Sequence, residues 1–300
     1  MQETAYSARL DQLKRVGFDE SHPVMLKVMQ GLAEVYYNQG KYRQAEKLYK
    51  KVLSTPRRSH EEFGSIDDQL HYDICSSLIE LARVFEGQDQ LEEAVKIYRV
   101  SSERAKLFLG DAHHTTMFSN SCLGRVLRRQ GLLQESEELL MATAVHQIKT
   151  FGEDHQAPLV TIYDLGETLR TRGKYQDAPT WLKKSFQRSR AIFGPDYNLT
   201  MGSCDSLGLC YEKQELYVEA RALYQELMDK LRVAKGDDHP RISEVQGWID
   251  EVNRKVDEHE GDEGNEGRGK RGTRETSARP SLGPNFPIPS QNLPSVIQIN

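Results

Sequence analysis

GLAEVYYNQGKYRQAEKLYKKV, residues 31–52, holds two helical patterns and the break between them. Ahead of the break, Val24, Met25, Val28, Met29, Leu32, Ala33 and Tyr36 recur at spacings of three and four, the period that lines one face of a helix. Asn38-Gln39-Gly40-Lys41 interrupts the pattern, and Ala45, Leu48, Tyr49 and Val52 resume it in a second helix from Tyr42. Upstream, His22-Pro23 marks the start, since proline is pre-organised for the first helical position. The stretch reads as a pair of amphipathic helices.

Copies of the pair follow. Leu32 is succeeded by Leu81 after 49 residues, and then Leu123, Leu165 and Leu207 come at intervals of 42. His71, His113, His155, Tyr197 and His239 keep the same interval, as do Gly110, Gly152, Gly194 and Gly236. A unit of this size cannot bury its own apolar face, so copies must stack into a solenoid. Ala45 aligns with Ala94, Ser136, Ala178 and Ala220, small side chains where two helices approach closely. The glycine after each second helix suits a left-handed cap, and Pro179 sits in the first turn or two of its helix, where a missing N–H costs least.

The expected organisation is an N-terminal helix and junction in 1–20, then a solenoid over 21–256. Its units lie near 22–64, 71–110, 113–152, 155–194 and 197–236, with a capping helix at 240–256 that has Ile249 at the leucine position. That makes eleven to twelve helices. Residues 257–300 pass from an acidic block, Asp257 to Glu266, through a basic run, Arg268 to Arg274, into a proline-studded end. Such a segment buries too little apolar area to offset its ordering entropy and is expected to be disordered.

Leu32-Ala33, Tyr36, Gly40, Tyr42, Ala45 and Leu48-Tyr49 together resemble the tetratricopeptide repeat. The usual unit has about 34 residues, so this is a longer variety. With its Gly236-Asp237-Asp238-His239-Pro240 junction it looks like the repeats of kinesin light chains and related fungal and bacterial proteins. Glu62 to Asp68 resembles the segment after a late repeat of that family, where this chain spends seven extra residues. The resemblance covers about residues 10 to 256 and implies an all-α, right-handed superhelical solenoid of tetratricopeptide helix pairs that binds proteins. Only Met1 to Val16 precede the first unit, so a motor subunit with the family's long coiled coil is not expected. The asparagine pairs common in the family are replaced by Gln30-Gly31, Ile79-Glu80, Ser121-Cys122, Tyr163-Asp164 and Asp205-Ser206, so cargo preferences do not carry over.

In this class of repeat the first helix of each pair lines the concave face. The corresponding positions read Gln30, Glu34, Tyr37 and Asn38; Ile79, Arg83, Glu86 and Gly87; Ser121, Arg125, Arg128 and Arg129; Tyr163, Glu167, Arg170 and Thr171; Asp205, Leu209, Glu212 and Lys213. The middle of the groove is thus expected to be basic, and an arginine fork suits carboxylates. The expected partner-binding set is Arg83, Arg125, Arg128, Arg129 and Arg170 with Ile79 and Tyr163 as apolar anchors, the partner an acidic peptide. Charge reversal of Arg125 and Arg170 is expected to weaken binding and leave stability unchanged. A second reading makes Arg128 and Arg129 a solvated helix end.

Other chemistry finds little support. A net charge of −5 gives no basic excess for nucleic acid, and no apolar run approaches the roughly 18 residues of a membrane helix. The polar N-terminus lacks a signal core, so a cytoplasmic location is expected. Cys75, Cys122, Cys204 and Cys210 contain no CxxC pair and read as buried free thiols. Gly267 to Gly272 matches GxGxxG with no strand before it or helix after it, and Asn198-Leu199-Thr200 matches a glycosylation sequon without a secretory context. The histidines recur in separate units and cannot converge on one metal. With no HExxH pair, nucleophile elbow or phosphate loop, no enzyme and no cofactor are expected.

Two functions stand: a non-catalytic adaptor binding peptide segments of partner proteins, and a regulatory sensor whose solenoid responds to a ligand and controls an associated effector. A carboxylate clamp would need lysine and asparagine where Gln30 and Glu34 stand. The acidic block of the tail is a candidate to fold back into the groove. Lys270-Arg271 reads either as part of a nuclear-import signal or as a solvated basic run.

Overall fold

The computed structural model describes residues 2–55 and 66–266, with side chains described from 2 to 55 and from 69 to 257. Among these residues there are twelve helices and no strand: α1 (Gln2–Arg15), α2 (Pro23–Asn38), α3 (Tyr42–Ser54), α4 (Ile66–Gly87), α5 (Leu91–Leu109), α6 (His114–Gln130), α7 (Leu133–Phe151), α8 (Gln156–Thr171), α9 (Ala178–Phe193), α10 (Asn198–Glu212), α11 (Tyr217–Lys235) and α12 (Pro240–Glu266). Two compact units contain them. The first, up to Gln214, holds α1 to α10, and the second, from Glu215, holds α11 and α12.

In the first unit each helix packs on the next, and α2, α4, α6, α8 and α10 also touch one another in succession. The second helices of the pairs, α3, α5, α7 and α9, make no comparable contact with one another. Close approach on one side and splay on the other is the packing of a solenoid. Its concave face is therefore built from the first helices. Leu32, Leu81, Leu123, Leu165 and Leu207 are all buried, and Ala45, Ala94, Ser136 and Ala178 have no exposed surface. In the second unit Val245, Ile249 and Val252 of α12 are buried, α12 packs on α11, and Trp248 meets Tyr224 with ring centroids 5.3 Å apart.

The recurrent histidines are helix caps. His22, His113 and His155 precede α2, α6 and α8 in extended conformation, and Nδ1 of each accepts from the backbone N–H two residues on, at 3.2, 3.2 and 3.1 Å. Each ring thereby satisfies one of the donors that a helix start leaves open. His239 does the same for Arg241 at 3.3 Å. The last residue of the preceding helix packs on the junction ring, Phe151 stacked on His155 and Phe193 tilted against Tyr197. His71 departs from this pattern. α4 begins at Ile66, so His71 lies inside the helix, buried, with its ring parallel to Phe108 at 3.6 Å between centroids.

Two further differences from the sequence reading follow from local geometry. Gly152 closes α7 with φ 82° and ψ 166°, and Gly110, Gly194 and Gly236 adopt the same extended, positive-φ conformation, so the junction uses a region open to glycine alone rather than a left-handed cap. Helix α12 runs past Val256 to Glu266, taking the acidic block into helix. The expected disordered segment from 267 onward and the residues 56–65 that include Glu62 to Ser65 lie outside the described residues.

Within the first unit, polar side chains are also buried between successive helix pairs, in register. Ser101 Oγ lies 3.0 Å from Ser119 Oγ, and Ser203 Oγ donates to Ser185 Oγ at 2.9 Å. Ser101 also donates to the Cys75 carbonyl and Ser185 to the Leu159 carbonyl. The four cysteines are free and buried.

Candidate functional site

The concave face of the first unit carries the expected groove residues, and the structure redistributes their roles. Arg83 pairs with Glu80 on its own helix at 2.8 Å, with its guanidinium 4.9 Å from the centre of the Tyr37 ring. Arg125 crosses from α6 to α4 and donates to Glu86 at 3.0 Å, while Arg129 donates to Glu86 and Asp89, both at 3.2 Å. Arg128 faces α8, 3.7 Å from Asp164 and 3.8 Å from Glu167, and Arg170 donates to Glu167 at 2.8 Å. The five arginines thus alternate with five carboxylates, Glu80, Glu86, Asp89, Asp164 and Glu167. The middle of the face is charge-balanced rather than basic, because residues three positions away, or on a neighbouring first helix and the turn after it, supply the opposite charge.

Burial makes these contacts consequential. The side chains of Glu86, Asp164 and Glu167 are 10%, 6% and 8% exposed, and removing the partner of a buried charge costs far more than breaking a surface pair. Burial pushes the Asp164 carboxyl up to about 6 against the opposing pull of Arg125 and Arg128. Burial acts on Glu167 too, but hydrogen bonds from Arg170 and Ser206 hold it below the usual value. Tyr98 from α5 donates to Glu86 at 2.6 Å, and burial raises its phenol. Burial likewise raises the Cys122 thiol to about 12, which keeps it unreactive.

Recesses open on this face among the described residues. The central one, about 500 Å³, lies among α4, α6, α7 and α8, with Arg83, Arg125, Asp164 and Gln147 along its walls and exposed Phe118 with Val160 beside them. Another, about 380 Å³, lies between α2 and α4 and is lined by Lys27, Gln30, Glu34, Asp73 and Glu80 among others. There Gln30 donates to Ser77 at 2.6 Å.

Ile79 is not an apolar anchor. It is 3% exposed and belongs to the core cluster with Ala33, Ala45 and Tyr49, because two residues before Leu81 the helix turns toward the preceding pair. Tyr163 is half-buried, its hydroxyl close over Gly202 of α10. The sequence reading missed Asp164, Gln147 and Phe118. Asp164 had a signal, since it occupies one of the replaced asparagine positions. Gln147 lies on a second helix, outside the positions expected to line the concave face.

Profiles of the tetratricopeptide repeat match residues 26–62, 115–191 and 203–238. The chain belongs to the tetratricopeptide repeat family. Solved structures share the fold of this tetratricopeptide protein at low identity. BtubC (BKLC) from P. vanneervenii superposes with a TM-score of 0.65 at 14% identity, over 80% of this chain and 92% of that one. A protein from Podosopora anserina, described by kinesin light chain, nearly identical TPR-like repeats, gives 0.58 at 22% identity over 72% and 99%. The apo form of RapI gives 0.55 at 11% over 85% and 91%. These likenesses place the fold with the kinesin-light-chain-like tetratricopeptide solenoids. No curated protein sequence matches the chain.

Proposed function

We propose that the chain is a non-catalytic adaptor that holds an extended peptide segment of a partner protein along the face built by α2, α4, α6, α8 and α10. The observation that carries this reading is a concave face with a central recess whose walls are fixed by cross-helix ion pairs. A site held rigid before binding loses less ordering entropy when a partner arrives. The arginines serve as partner donors from fixed positions. Each guanidinium has five N–H groups, and Arg125 and Arg170 spend only part of them on Glu86 and Glu167. An acidic partner must compete with the carboxylates already present, so selectivity rests on geometry rather than net charge. No described helix is long and apolar enough to cross a membrane.

The test is site-specific photo-crosslinking in the full chain. A photoreactive residue replaces Phe118, exposed on the concave side of α6, or Leu107, exposed on the second helix α5. A partner joined through position 118 and not through 107 supports the reading. Crosslinking confined to 107 would move the interface to the outer helices.

A further inference from the structure

The central recess contains hydrogen-bonding groups that the chain leaves unused. Gln147, only 2% exposed, spends its Nε2 on Ser121 at 3.1 Å, and its Oε1 has no partner. Arg125 Nε is likewise buried without an acceptor, although the same guanidinium donates to Glu86. Asp164 faces the same recess. Its ion pair with Arg128, at 3.7 Å, is too long for a hydrogen bond. Residues carrying one unused donor and two acceptors of unequal charge therefore line one cavity, with Arg125 Nε and Gln147 Oε1 buried behind its wall.

Native interiors seldom leave such groups unpaired, and a cluster of them in a recess marks a place for a ligand group of complementary pattern. A carboxylate offers acceptors alone, so it would meet Arg125 and be repelled by Asp164. An ammonium offers donors alone and would sit between Arg83 and Arg125. A carboxamide offers one acceptor oxygen and two N–H donors, the mirror of Arg125 Nε with Gln147 Oε1 and the Asp164 carboxylate. The exposed Phe118 and half-buried Val160 give its aliphatic stem apolar surface.

We infer that the recess among α4, α6, α7 and α8 is a specificity pocket for the side-chain carboxamide of an asparagine or glutamine in the bound peptide. This rests on the adaptor reading and names the residue class that the groove selects. It differs from the acidic ligand that the arginines alone, without their internal partners, would suit.

A positional-scanning library of end-capped decapeptides, with each of the twenty residues fixed in turn, tests it against the full chain. At one position asparagine or glutamine should exceed aspartate, glutamate, lysine and arginine by about tenfold, since a site built for hydrogen bonds rejects groups that leave it unpaired. Gln147→Leu should erase that preference while binding through other positions persists. Asp164→Asn should weaken it and raise the rank of aspartate and glutamate, because the recess loses the carboxylate that repels acidic groups, while Arg125 keeps Glu86 and Arg128 keeps Glu167. Circular dichroism reports whether each variant folds, and Asp164→Asn, which keeps the side-chain shape, decides alone if Gln147→Leu does not. Enrichment of charged residues over amides at every position, or an amide preference unchanged in the folded variants, overturns the pocket and leaves the groove. Retention of no peptide overturns both.

Discussion

The centre of the concave face and its α2–α4 end use charge differently. In the centre, Asp164 and Glu167 are buried, Glu86 is half-buried, and each meets an arginine from a neighbouring helix, so the ion pairs lie between first helices. At the α2–α4 end, Glu80 pairs within its own helix, the interhelix bond is the neutral one from Gln30 to Ser77, and Glu34 is exposed with no ion pair among the described residues. Charge in the centre is structural, whereas charge at the end is open to solvent and to partners. The same repeat can therefore spend a carboxylate on architecture or on recognition, according to whether a cation reaches it from the next unit.

The largest expected effect lies beside Asp164. Leu165 has no exposed surface, and Leu165→Ala should cost about 2 to 5 kcal/mol in urea unfolding followed by circular dichroism, depending on how far the site collapses. A loss below about 0.5 kcal/mol would show that the centre is not tightly packed.

Arg128→Ala comes next, at about 3 kcal/mol, because it leaves Asp164 and Glu167 without the cation that faces both. By the same logic, reversing Arg125 and Arg170 to glutamate is no neutral surface change. It sets like charges against Glu86 and Glu167, so the melting temperature should fall.

A third effect depends on pH. The folded value of Asp164 is raised to about 6 by burial, so the folded state takes up a proton before the unfolded state does. Its contribution to stability is greatest below the unfolded value and is lost as pH rises through about 6, an effect of about 3 kcal/mol. Glu167, held low, acts in the opposite sense and only at more acidic pH. Urea midpoints measured between pH 4.5 and 7 should therefore depend less on pH in Asp164→Asn than in the parent. Identical slopes would mean that Asp164 ionises as freely as an exposed carboxylate.

The smallest effect belongs to the other end of the face. Glu34→Gln should alter stability by less than about 0.5 kcal/mol, as an exposed side chain without an ion pair does. A larger loss would erase the contrast between the two regions.

Much of the architecture was legible because it depends on near neighbours in sequence. The three-and-four spacing around Leu32 and Leu165, the small residues at Ala45 and Ser136, and Pro179 in the first turn of α9 each follow from local geometry repeated at a fixed interval. The interval also made His113 and His155 equivalent, and both are caps. It could not show that His71, in the same register, lies inside a helix begun five residues earlier.

The period and its apolar faces determined, from sequence alone, that this chain is a stack of helix pairs, since burying those faces leaves few alternatives. Which residues remain available for binding was decided by tertiary structure. Arg125 meets Glu86 from 39 residues away, Ile79 turns into the core, and Gln147 reaches the recess from a second helix. These outcomes depend on how adjacent helices cross and which rotamers their contacts permit. Periodicity specifies the face of a helix, but only packing specifies what that face meets.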